Sequence, residues 1–175
     1  MNVVRMIAVT ALLSITGSSF AAAPQLKASE SVTINAPVAA VWDKVKSFDG
    51  LGNWHPAVAK DEIVEGDNDK VGAVRLLTLK DGGTIKEKLL GFSDTSHSFK
   101  YAILEGVLPV SSYTSTLVVK PAGKGASKVT WSGSFKRKDT SDKPADGADD
   151  KAATTTISSV YRGGLDNLKT LVEAK

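Results

Sequence analysis

The sequence predicts an α+β fold: an antiparallel sheet of seven strands and one long C-terminal helix, which can cover the concave face if the sheet is curved around it, with a short helical segment after the first strand. Three observations predict it. Ser31–Ile34 alternates with period 2 and runs directly into apolar residues at helical spacing. Six further alternating segments follow, separated by clusters of Gly, Asp, Asn and Pro, so neighbouring strands are joined by short turns and pair antiparallel. The chain then ends on a segment, Asp149–Glu173, whose apolar residues recur at spacings of three and four.

Each element has its own signal. Val32 and Ile34 alternate with Ser31 and Thr33, the pattern of a half-buried strand. Pro37 suits a first helical turn, where its missing N–H costs nothing. Val38, Val41, Trp42 and Val45 then fall at i, i+3, i+4 and i+7 and form one stripe. Trp54-His55-Pro56 closes this unit as a turn. Ala57–Val64 is a weakly patterned strand that stops at Glu65-Gly66-Asp67-Asn68-Asp69. Ala73–Leu79 and Thr84–Phe92 flank a hairpin signal at Asp81-Gly82-Gly83. His97–Leu104, Ser112–Lys120 and Ser127–Arg137 complete the set, and His97 reads as exposed. Lys138–Asp150, polar and rich in Asp, reads as a loop. In the final helix Ile157, Val160, Tyr161, Gly164, Leu168, Leu171 and Val172 share a face, while Asp149 and Asp150 stand at the positive end of its dipole.

Residues 1–23 are expected to be a cleaved signal peptide. Arg5 supplies the positive start, Met6–Ile15 is mostly apolar, and Ser19-Phe20-Ala21 offers small residues at a cleavage site. The apolar run is shorter than the roughly 18–20 residues that span a bilayer, so no membrane insertion is expected after cleavage. Residues 24–175 then form a single domain, periplasmic or secreted. No cysteine is present, so packing must hold it without disulfides. Without Arg5 the 22 basic residues fall to 21 against 19 acidic ones, a net charge of +2. Lys136-Arg137-Lys138 is the densest basic cluster, and Asp139, Asp142 and Asp146 follow it closely. The lysine surplus reads as dispersed, with no footprint for nucleic acid.

Period 2 sorts each strand into two faces. Val129, Trp131, Gly133 and Phe135 oppose Lys128, Thr130, Ser132 and Ser134. Phe99, Tyr101 and Ile103 share a face, as do Tyr113, Ser115, Leu117 and Val119. Two charges break the rule: Glu87 lies with Ile85 and Leu89, and Arg75 with Ala73, Leu77 and Leu79. The hairpin between them can bring the two onto adjacent strands. A buried ion pair without a ligand and polar anchors in a pocket both satisfy this pattern. Gly163-Gly164, in the middle of the last helix, reads as a point of close packing, the alternative being space opened beneath the helix.

Catalytic constellations are sparse. His55 and His97 are the only imidazoles, neither in metal-ligand spacing with carboxylates, and no metal or cofactor is expected. No phosphate loop, Gly-x-Ser-x-Gly elbow or dinucleotide glycine fingerprint occurs.

Residues 29–174 resemble the START-like superfamily, the helix-grip fold of polyketide cyclases and birch-pollen-allergen-like proteins. Ile34-Asn35-Ala36-Pro37 through Val41-Trp42, Phe48 to Trp54-His55-Pro56 and Gly72-Ala73-Val74-Arg75 carry the likeness. Glu87, Leu108-Pro109-Val110 with Tyr113, Trp131-Ser132-Gly133 with Phe135, and Gly164-Leu165 with Leu168 extend it. The middle motifs are most similar to the polyketide-cyclase/dehydrase-like branch, which includes a secreted accessory protein of bacterial methanol oxidation. The resemblance implies a cavity between sheet and helix, its mouth framed by Gly106–Ser112, the Trp54-His55-Pro56 turn and Asp139–Asp150.

Two functions follow as expectations. The leading one is a periplasmic protein that binds a small apolar or amphipathic ligand or assists a partner enzyme. Arg75 and Glu87 would be polar anchors, Tyr101, Tyr113, Trp131, Phe135 and Tyr161 walls, and His55 the rim. From the resemblance, the partner would be a periplasmic dehydrogenase or cytochrome of alcohol oxidation. The alternative is a cyclase- or dehydratase-like enzyme with Glu87 or His55 as general base. A filled inner face would leave a structural module instead.

Overall fold

A computed structural model describes residues 24–174. The proposed signal peptide, residues 1–23, lies outside the described residues. The chain forms β1 (Leu26–Ile34), α1 (Val38–Val45), a 3-10 turn (Leu51–Asn53), β2 (Val58–Glu65), β3 (Val74–Leu79), β4 (Thr84–Ser93), β5 (Ser98–Gly106), β6 (Val110–Pro121), β7 (Ser127–Arg137) and α2 (Asp150–Glu173). The strands make one antiparallel sheet in the order β1-β7-β6-β5-β4-β3-β2. The first strand therefore pairs with the last, from Leu26 opposite Phe135 to Ile34 opposite Ser127.

The expected α+β helix-grip architecture is present, with differences at the element ends. Pro37 precedes α1 as its N-cap, with φ −61° and ψ 151°, and does not join the first turn. An extended ψ there lets the chain leave β1 without a gap, and the Pro37 carbonyl still accepts from Val41 N at 3.2 Å. His97 is half-buried and precedes β5 in a left-handed turn with φ 49°, its ring edge-on to Trp42 at 5.8 Å. Packing on the α1 tryptophan overrides the polar turn that suggested exposure.

Asp149 caps α2 by accepting from Ala152 N at 2.7 Å. The buried face of α2 comprises Ala153, Ile157, Tyr161, Gly164, Leu165 and Leu168. Leu171, expected on that face, is 46% exposed. Leu165, outside the expected set, is fully buried. Two glycines allow α2 to sit close. A Cβ on Gly133 of β7 would overlap the Tyr161 hydroxyl, and one on Gly164 would stand 2.6 Å from His55 Cδ2. Gly163 has nothing within 4 Å, so the packing reading holds for one of the pair only.

Candidate functional site

The site begins with sheet register. β3 and β4 place Arg75 directly opposite Glu87, both on the inner face. Arg75 Nε and Nη2 donate to Glu87 Oε2 at 2.8 and 2.6 Å. Nη1 donates to the Phe48 carbonyl and faces Asp61 Oδ2 at 3.4 Å, while the guanidinium lies 4.3 Å from the Phe48 ring centre. All three charged side chains are buried. Burial alone would lower Arg75, but Glu87 and Asp61 hold it above its ordinary value. Burial pushes Glu87 up against the pull of Arg75. Asp61 is raised to about 6, again by burial, although Arg75 and the Leu51 N–H draw it down. Asp61 Oδ2 accepts from Leu51 N at 3.0 Å, so the cluster ties the 3-10 turn and the Phe48 loop to the sheet.

Beside this cluster, between the sheet and α2, lies an apolar chamber of about 70 Å³. Leu77, Ile85 and Ile103 line it from the strands, Leu51 and Leu108 from the loops, and Ile157 and Val160 from α2. Of the residues singled out from sequence, His55, Glu87, Tyr101, Tyr113 and Trp131 reach it. Arg75, Phe135 and Tyr161 stand behind its wall. Arg75 is held there by its carboxylates and by Phe48. Phe135 stacks on Tyr113 at 6.0 Å, and Tyr161 on Trp131 at 4.6 Å.

The hydroxyls of the wall form one chain. Trp131 Nε1 donates to Tyr101 OH at 3.0 Å, and Ser115 Oγ donates to the Ser132 carbonyl at 2.9 Å. An indole N–H can only donate and a carbonyl can only accept. The proton order between those ends is therefore set: Tyr101 to Tyr113 (3.4 Å), Tyr113 to Tyr161 (2.5 Å), and Tyr161 to Ser115 (2.9 Å). Burial holds Tyr101 and Tyr113 well above the usual phenol range and Tyr161 at about 12, so all three stay neutral donors. The polar atoms satisfy one another, and the wall turns its apolar surface to the chamber.

His55 is similarly committed. Its Nδ1 accepts from Ala57 N at 3.2 Å, which places the proton on Nε2, 3.0 Å from the Val160 carbonyl. Burial lowers its pKa, with a smaller push from Arg75. The neutral ring has no lone pair left for an incoming proton.

Asp61 and Leu51 are the residues that sequence reading missed. β2 has register shifts at Val58/Lys60 and Ile63/Glu65, so simple alternation could not assign Asp61 to the inner face. Among the described residues no group of three His, Cys, Asp or Glu could hold a metal ion, and no helix is long and apolar enough to cross a membrane.

A seven-stranded antiparallel sheet closed by a C-terminal helix over an apolar chamber defines a helix-grip ligand-binding domain. The chain belongs to the family described as polyketide cyclase / dehydrase and lipid transport, which matches residues 25–173. Among solved structures it is similar to the protein XoxI from Bacillus cereus, at 30% identity and TM-score 0.73 over 83% of this chain and 94% of that one. A protein from Nitrosospira multiformis matches at 25% identity and TM-score 0.70, over 85% of this chain and 97% of that one. Major latex-like protein 151 from Panax ginseng shares the fold at 18% identity and TM-score 0.68, over 86% and 99% of the two chains. Family and fold make this a ligand-binding protein of the START-like superfamily.

Proposed function

We propose that the protein binds a small apolar or amphipathic molecule in the chamber beneath α2, outside the cytoplasm, in support of a partner enzyme. The observation that carries the reading is the chamber itself: an apolar space on the inner face, beside a wall whose hydroxyls bond one another in a single chain. At about 70 Å³ it falls below the roughly 300–1,000 Å³ of most small-molecule sites. As it stands it admits a molecule of a few heavy atoms. Ile103, Leu108 and Tyr113 separate it from a surface hollow of about 300 Å³ at the β5–β6 hairpin. Outward rotation of Leu108 joins the two spaces and admits a longer ligand. The secretion signal read from residues 1–23 and the likeness to a branch with a secreted accessory protein of methanol oxidation support a periplasmic dehydrogenase or cytochrome of alcohol oxidation as that partner.

The catalytic alternative has less support. His55 uses both ring nitrogens on backbone partners, and Glu87 spends Oε2 on Arg75. His55 therefore has no free nitrogen to act as a general base.

Native mass spectrometry of protein purified from its own host tests the binding reading. A discrete bound mass is expected, absent from Leu77→Phe, which fills the chamber, and retained in Leu171→Phe on the exposed side of α2. An empty wild-type protein that also fails to take up small apolar probes such as benzene would refute it.

A further inference from the structure

The lysines that look dispersed in sequence converge on the convex face of the sheet, the side away from α2. Register builds successive rows across the strands. Lys88, Ala102, Thr114, Ser134 and Lys27 form one row, from β4 to β1. Lys100, Thr116, Ser132 and Ser29 form the next. Farther along, Lys120 pairs directly with Lys128, which pairs with Thr33. The alternate residues of these strands, among them Leu89, Tyr101, Leu117 and Val129, are buried in the core, so these rows point outward.

Lys27, Lys88, Lys100, Lys120 and Lys128 are exposed, and none makes an ion pair among the described residues. The outward positions of β1, β6 and β7 contain Lys, Ser, Thr and one Val, with no aspartate or glutamate. Glu65 and Glu105 stand only at the margin, beside Lys86. A chain carrying only +3 overall thus presents one face with uncompensated positive charge. The direct Lys120–Lys128 pairing is unfavourable for folding, so stability does not account for it.

We propose that this face docks a carboxylate-rich surface of a protein partner in a transient, salt-sensitive complex. Extent separates this from a small-ligand site. Four strand spacings between Lys88 and Lys27 span roughly 19 Å, and Thr114 to Lys120 spans about 20 Å along the strand. The resulting patch of about 400 Å² is half the roughly 800 Å² per partner of a standard interface, in the range of short-lived encounters. Between Lys27 and Lys100 lies a shallow hollow of about 300 Å³, floored by Thr114, Thr116, Ser132 and Ser134. Short hydroxyls lose little side-chain freedom and suit a docked polypeptide. A bilayer is a poorer occupant: a convex sheet meets a plane along a strip, and the rows offer no aromatic or long apolar side chain to insert.

The test uses the mature protein and a 20-residue poly-L-glutamate peptide as probe. Amide NMR shifts should be confined to the outward rows of β1 and β4–β7, and the dissociation constant should rise about tenfold or more between 50 and 200 mM salt. The triple variant Lys100→Glu, Lys120→Glu, Lys128→Glu should lose about tenfold or more in affinity while its circular dichroism is unchanged. The variant Lys44→Glu, Lys70→Glu, Lys151→Glu, with the same net charge, should bind as wild type. Equal loss in both triple variants would overturn the proposal, because net charge alone would then explain binding. Tighter binding of phosphatidylglycerol vesicles or of a DNA duplex than of poly-glutamate would also overturn it.

Discussion

Alanine at Gly164 would bring a methyl group 2.6 Å from His55 Cδ2, 3.1 Å from His55 Nε2 and 3.0 Å from Trp131 Cζ3. Both neighbours are rings fixed by other contacts, so neither yields as a flexible chain end would. The imidazole must turn, which strains or breaks its bond to the Val160 carbonyl. Overpacking of this kind costs about 1–3 kcal/mol, and the lost hydrogen bond about 1 more. Against this stands a gain of about 1 kcal/mol from replacing a mid-helix glycine. The net is a loss of about 2 kcal/mol. At Gly163, one position earlier, the same change meets nothing within 4 Å, and only the gain remains. Urea denaturation followed by circular dichroism should therefore give opposite signs: Gly163→Ala more stable by about 0.5–1 kcal/mol, Gly164→Ala less stable by about 2. In thermal melts that corresponds to roughly 1–4 °C up and 4–8 °C down. The imidazole carbon signals supply a second readout, because His55 should shift in Gly164→Ala alone. Equal stabilisation by both changes would refute the contact between the His55 turn and α2.

Other outcomes follow from the charged cluster. Arg75→Met should destabilise the protein by about 3–5 kcal/mol, since it strands Glu87 and Asp61 without their cation; adding Glu87→Leu should recover about half of that or more. A double-mutant cycle by urea titration measures it, and full additivity would contradict the pairing. The Asp61 carboxyl is raised from 3.8 to about 6 in the folded chain, so the native state holds its proton more tightly than the unfolded state does. Its contribution to stability therefore rises as pH falls through about 6, levels off below 3.8, and amounts to about 3 kcal/mol across that window. Asp61→Asn should flatten the difference in unfolding free energy between pH 7 and pH 5; an unchanged slope would place that proton elsewhere.

Much of this molecule was legible because its inner and outer residues alternate cleanly. Phe99, Tyr101, Leu117, Val129 and Trp131 could be placed on the core face from period alone, and each is buried. Arg75 and Glu87 stood out as charges among apolar residues, and they do pair across adjacent strands. What alternation could not show was depth within the inner face. Phe135 shares it with Tyr113 and Trp131 but stacks behind Tyr113, and Tyr161 of α2 stacks behind Trp131, both away from the chamber. Nor could it find Asp61, on a strand with two register shifts, or the gathering of lysines, which depends on partners far apart in the chain.

The pairing of β1 with β7 has a bearing on how the chain reaches this state. A polypeptide made from its N-terminus exposes Leu26–Ile34 as a bare edge until Arg137 has been added, because no earlier segment neighbours it. Sheet closure is thus a late, long-range event, the kind that slows folding and leaves unsatisfied strand edges open to wrong partners. A chain released early, before residue 127, would lack β7 altogether, losing the β6–β7 pairing as well as the β1–β7 pairing that secures its beginning. Timing of synthesis, as well as composition, decides whether this sheet is completed by its own chain.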